Sequence, residues 1–213
     1  MNKIIDLTHP ISEGMPVYPG TESPVLKAEC TIDGIGFAEK KISMFSHTGT
    51  HMDAPAHLIK DAKTLDKFSV GHFYGRALLL NLTNIKGSNI ELSDLETHKA
   101  LLKDVEFILL YTGWSKYWGK DKYFENYPVL SVAAAEWLSL FKLKGIGLDT
   151  ISADKIDTVD YEVHNVFLQN ETVVVENLTN LYLLPDNGFT FSCFPMSFED
   201  ADGSPVRAVG IVN

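Results

Sequence analysis

Residues 46–57 read Ser-His-Thr-Gly-Thr-His-Met-Asp-Ala-Pro-Ala-His, placing three of the chain's seven histidines and one aspartate in a single short stretch. Imidazole and carboxylate are the ligand types that hold zinc, manganese or ferrous iron. Packing alone does not explain such crowding, because buried polar groups without partners are costly. The stretch also restricts the backbone. Thr48, Gly49 and Thr50 are poor helix formers and Pro55 follows soon after, so His47 and His51 are expected at the end of a strand entering an ordered loop, not on one helix face. Gly49 would let the chain turn so that both rings converge. Asp53, two positions past His51 in extended backbone, would point the same way.

The remaining composition narrows the class. With 213 residues, 45 % hydrophobic and 22 % charged, the chain is long enough for one domain, 1–213, with a substantial core. A net charge of −10 argues against nucleic acid and anionic lipid as partners. Cys30 and Cys193 form no Cys-x-x-Cys and are read as reduced thiols of a cytoplasmic protein. Met1 to Pro10 contains no long apolar run, so no secretory signal is expected, and no stretch reaches the length of a membrane span. Repeats, low-complexity tracts and linkers are not seen.

Short apolar runs bounded by turn residues predict strands at Ile4–Thr8, Gly36–Phe45, Arg76–Leu82, Phe107–Thr112, Gly145–Asp149, Thr172–Val175, Leu181–Leu184, Thr190–Pro195 and Val206–Val212. Helices are fewer. Ser131 is the expected N-cap of Val132–Leu143, with Gly145 as the stop signal. A second helix follows Ser93 through Leu95 and Leu102, and a third covers Tyr161–Leu168. Strands and helices interleave irregularly, which reads as α/β with a mixed sheet.

The chemistry extends beyond the histidine-rich stretch. His47, His51 and Asp53 are candidate ligands of one cation, leaving coordination open for water. His57 lies close enough in sequence to move protons, or to serve as a supporting histidine. His164 on the third helix and Glu176 at the exit of Val173–Val175 are each weak candidates alone. Together they could complete the shell, or hold a second ion bridged by Asp53. His9 reads as a turn residue near the site, His72 and His98 as solvated, and Arg207 as ion-paired. The aromatic group Trp114, Tyr117, Trp118, Tyr123, Phe124 and Tyr127 reads as loop packing, with a pocket wall or subunit interface as the alternative.

The run His47-Thr-Gly-Thr-His-Met-Asp-Ala-Pro-Ala-His57 resembles the signature of the cyclase family of metal-dependent hydrolases, which includes kynurenine formamidase (arylformamidase) and isatin hydrolase. Further blocks resemble the family in order: Asp6–Ile11, Met15–Gly20, Thr112–Trp114, Gly147–Asp149 with Ser152, Asp154 and His164-Asn165, and Asp202–Ala208. The resemblance implies a swivelling β/β/α architecture and a homodimer or homotetramer. It implies a divalent metal, zinc first and manganese as the alternative, with one or two ions. His47, His51 and Asp53 match the ligands of one ion, and His164 and Glu176 complete a second with bridging Asp53. His57 matches the catalytic proton carrier. One position departs: kynurenine formamidases tend to carry Trp where this chain has Tyr18, a substrate-lining position. The implied activity is hydrolysis of a small amide, N-formylkynurenine first and a cyclic amide or lactone second. Two readings from other classes stand beside it. His51, Asp53 and His164 fit the facial triad of a non-haem iron oxygenase. A metal that only staples loops would make the chain a non-catalytic binding module.

Overall fold

The computed structural model describes residues 3–212. Thirteen strands are present among them: β1 Lys3–Asp6, β2 Val25–Cys30, β3 Glu39–Ser43, β4 His51–Asp53, β5 Tyr74–Asn81, β6 Asn89–Ile90, β7 Phe107–Tyr111, β8 Val129–Leu130, β9 Gly145–Leu148, β10 Val173–Glu176, β11 Phe189–Ser192, β12 Gly203–Pro205 and β13 Val209–Val212. The α-helices are α1 Ile32–Ile35, α2 Leu92–Leu95, α3 Lys99–Leu102, α4 Val132–Ser139 and α5 Glu162–Leu168.

Nine strands form one mixed sheet in the order β1-β13-β11-β5-β7-β9-β10-β4-β12. Its centre, β5, β7, β9 and β10, is parallel, and the flanking strands are antiparallel. Central strands read as near-continuous apolar runs because both faces are covered. Alternate residues serve two cores. Leu79, Phe107, Leu109, Val173 and Val175 enter one cluster with Ile5, Leu7, Phe189 and Phe191. Leu78, Leu80, Ile108, Leu110, Ile146 and Val174 face the helices, against Ala134, Leu138 and Phe167. The sheet curls around the first cluster: beyond β1, the Thr179 N–H donates to the Leu7 carbonyl at 3.0 Å, and Thr8 bridges Leu178 just past β10. The α/β class with a mixed sheet is therefore the one the sequence predicts. Gly145 and Gly147 sit where a Cβ would meet Phe107, Val173, Leu109 and Leu178, so tight strand packing requires glycine there.

Several boundaries differ from expectation. Leu181–Leu184 is not a strand; Asn180, at φ +58°, starts a 3-10 turn over Leu181–Leu183. The run expected from Gly36 begins only at Glu39, because Gly36 at φ +89° ends α1 in the left-handed conformation. Its partner β2 was not predicted. The expected second helix is broken into α2, a 3-10 turn at Glu96–His98, and α3, with Glu91 and Asp94 forming a capping box. Ser131 caps α4 as expected, but the helix stops at Ser139, ahead of Lys142 at φ +52°. Gly145 is not the stop signal; it opens β9.

Candidate metal centre

The site is built on β4 and the turn that feeds it. Gly49 adopts φ +67° in the turn after His47, and His51 opens β4, so a loop enters a strand here and not, as expected, a strand end entering a loop. Within β4, His51 and Asp53 share one face while Met52 enters the core. Pairing with β10 sets Glu176 opposite His51, and pairing with β12 sets Gly203 opposite Asp53. A Cβ on Gly203 would lie 2.3 Å from Cε1 of His47, so only glycine admits the ring there.

Five side chains converge. Nδ1 of His47 lies 2.6 Å from Oδ1 of Asp53, and Nε2 of His51 lies 3.3 Å from the same oxygen. Nε2 of His164 is 3.0 Å from Oε1 of Glu176 and 3.5 Å from Oδ2 of Asp53. His47, His51 and Asp53 offer one set of donor atoms mutually within 4.8 Å, and Asp53, His164 and Glu176 offer another. Asp53 is common to both. The structure thus brings together all five residues expected as ligands. The ring of His57 packs 3.9 Å from that of His47, tilted by 36°, which places it beside the donor atoms.

Electrostatics show that these groups suit a cation. Asp53 and Glu176 are buried, and neither is ion-paired with a lysine or arginine among the described residues; imidazoles are their counter-charges. Burial opposes ionisation of Asp53, but His47 and His51 outweigh it and hold its carboxyl well below the usual range. Burial likewise pulls His47 down, while Asp53 and Asp202 lift it to about 10. The same opposition, with Asp154, Asp53 and Glu176 prevailing, raises His164. Protons held this tightly between carboxylates occupy positions that a divalent cation can take. Each inward-facing nitrogen is also pre-aimed. His51 gives Nδ1 to the Gly49 carbonyl at 2.8 Å, and His164 gives Nδ1 to Asp154 at 2.6 Å, leaving Nε2 toward the carboxylates. His57 differs: burial lowers it to about 4, so it is neutral at physiological pH and able to accept a proton.

A cavity of roughly 440 Å³ opens above the cluster. Tyr18 lines it, with Phe45, Ile151 and Tyr161, and the Tyr18 hydroxyl donates to the Ile156 carbonyl at 3.3 Å. Behind Tyr18 the aromatic group packs around buried Tyr123 and Tyr127, which agrees with the loop-packing reading. His9 stacks flat on Trp118 at 3.9 Å. His72 is not simply solvated: its Nε2 bonds the Lys144 carbonyl and its ring packs on Phe68. Arg207 pairs with Asp6 through two hydrogen bonds. Two site residues escaped the sequence reading. Asp202 lies 3.1 Å from Nε2 of His47, and Asp154 holds His164. Their positions in blocks that resemble the family were the available signal.

The family model Cyclase matches residues 5–155, more than half of the chain. The chain belongs to the cyclase family. A kynurenine formamidase of Bacillus cereus is 30 % identical over 210 residues, covering 96 % of this chain and 95 % of the relative. An uncharacterised protein of Methanocaldococcus jannaschii is 35 % identical over 212 residues, covering 99 % and 100 %. Among solved structures, an isatin hydrolase bound to the product analogue thioisatinate superposes with a TM-score of 0.90 at 22 % identity, covering 99 % of this chain and 92 % of that one. A "potential metal-dependent hydrolase with cyclase activity" superposes with a TM-score of 0.82 at 25 % identity, covering 100 % and 99 %. No helix among the described residues is long and apolar enough to cross a membrane.

Proposed function

We propose that this cyclase-family protein is an arylformamidase-type enzyme, cleaving N-formylkynurenine to kynurenine and formate. It is a metal-dependent hydrolase acting on a small amide. The observation that carries the reading is the pair of donor sets sharing Asp53 at the floor of an aromatic-walled cavity. His47, His51 and Asp53 would hold one divalent cation, and Asp53, His164 and Glu176 a second. Zinc suits this nitrogen–oxygen donor set best, with manganese as the alternative. When bound, such a cation polarises the carbonyl and lowers the pKa of water to about 7. His57, neutral beside the donors, takes a proton from the attacking water and returns it to the departing nitrogen as the C–N bond breaks. Tyr18 offers an aromatic face to an aryl group.

One observation favours a second substrate. No lysine or arginine is among the residues lining the cavity, so a substrate carboxylate has no side-chain counter-ion there. A neutral cyclic amide such as isatin, or a lactone, needs none. The oxygenase reading is not favoured, because His47 and Glu176 supply donors beyond that triad. The deciding assay compares N-formylkynurenine, formanilide and isatin with and without a chelator. Hydrolysis of at least one is expected, abolished by chelation and restored by zinc or manganese. Turnover indifferent to chelator would remove the mechanism.

The β2–β3 hairpin supports a homodimer or homotetramer. With its connection it exposes Val25, Ile32, Ile35, Phe37 and Ile42, and an isolated two-stranded ribbon is marginal in water. Light scattering is expected to return a multiple of the 23.7 kDa chain mass; a monomer at micromolar concentration would refute this. Two free thiols, Cys30 and buried Cys193, support a reducing cytoplasmic setting.

A further inference from the structure

We propose that Asp154 is the positioning residue of the inner donor set, clamping His164 and the first turn of α5 so that Nε2 stays aimed at Asp53 and Glu176. This rests on the cation-binding reading above. Helix α5 brings no side-chain cap of its own; its N-cap, Tyr161, is in the left-handed conformation at φ +47°. The orphan amides of its first turn are met by Asp154 instead. Oδ1 accepts the Val163 N–H at 3.0 Å, and Oδ2 accepts the His164 N–H at 3.0 Å. Oδ2 also accepts Nδ1–H of the His164 ring at 2.6 Å. One carboxylate therefore fixes the backbone, the tautomer and the ring direction of the same histidine.

The loop carrying Asp154 reaches the other inner ligand as well. The Ala153 N–H donates to Oε1 of Glu176 at 2.8 Å. The loop is itself anchored from the aromatic cluster, where the Tyr127 hydroxyl donates to the Asp154 carbonyl at 2.5 Å. Asp154, Ala153 and Tyr127 thus hold both inner ligands without lining the cavity. The outer set has a weaker counterpart: the second nitrogen of His47 faces Asp202, whose side chain is 46 % exposed, against 6 % for Asp154. Partners of metal-bound histidines are commonly worth about 10- to 100-fold in affinity. The buried clamp should therefore act on the inner set alone.

The test is zinc titration of the cation-free full-length protein against a chromophoric chelator. Asp154→Asn is placed in two backgrounds. In His47→Ala only the inner set remains complete; in His164→Ala only the outer set does. Asparagine cannot accept all three hydrogen bonds, since its amide nitrogen donates. The expected result is a loss of about 10- to 100-fold in zinc affinity in the first background and no change in the second. Equal losses in both would mean a general structural defect, and no loss in the first would mean no clamp; either overturns the proposal. Where circular dichroism shows Asp154→Asn unfolded, Tyr127→Phe replaces it, with a loss of about threefold expected at the inner set alone. An unchanged inner affinity in that variant overturns the proposal too. Failure of the unsubstituted protein to bind zinc or manganese at all would sink the cation reading itself, an outcome distinct from equal binding by wild type and variant.

Discussion

Asp53→Asn is expected to empty the cation site and to lower amide hydrolysis by at least about 10³-fold. The side chain is 1 % exposed and is shared by the two donor sets at the floor of the cavity, so its loss weakens both at once. Asparagine keeps the volume and removes the charge. It would leave His47, His51 and His164 converging on a neutral amide, with Glu176 as the remaining buried anion among the five donors. Elemental analysis and initial rates on the same preparation read both effects. A variant that retains its metal and keeps activity within about tenfold of wild type would show that Asp53 is not a shared ligand.

His57→Ala is expected to separate binding from chemistry. Hydrolysis should fall by about 10² to 10⁴-fold, the usual worth of a positioned proton carrier, while metal content stays at the wild-type level. The reason lies in its surroundings. His57 lies against His47 and groups with His47 and Asp202, but it belongs to neither of the two donor sets that share Asp53, which stay complete without it. Burial lowers its pKa to about 4, so it is a neutral proton acceptor above that pH. Metal content and single-turnover rates would decide the matter. Retained metal with hydrolysis within about twofold of wild type would exclude His57 from the reaction.

How much of this was legible in the sequence depended on how far the signal travelled along the chain. His51 and Asp53 could be paired because extended backbone returns to the same face every second residue, and Gly49 marked the turn before them. Glu176 was suspect as a carboxylate closing a buried apolar run. Asp202 and Asp154 were marked only by their place in blocks that resemble the family: Asp202 is 155 positions from His47, and Asp154, though 10 from His164, has no periodic relation to it that a sequence pattern could show. Leu181–Leu184 looked like a strand since its composition is apolar, but composition without period does not distinguish a strand from a tight turn. Strand β2 went unseen for the opposite reason: it buries no residue fully and so has no hydrophobic face to read. His72 was misjudged because a carbonyl from Lys144 satisfies it, a partner no local pattern announces.

The alternation along β4 has a consequence for how this protein acquires its cofactor. Met52 faces the apolar interior between His51 and Asp53, and its neighbours across the ladders are Val175 and Ser204. Sliding this short strand by one position would present the thioether to the donors and drive imidazole and carboxylate into the hydrocarbon layer. Only the native pairing creates a place for the ion, so uptake of the ion by refolding chains counts the molecules whose ladders have closed correctly.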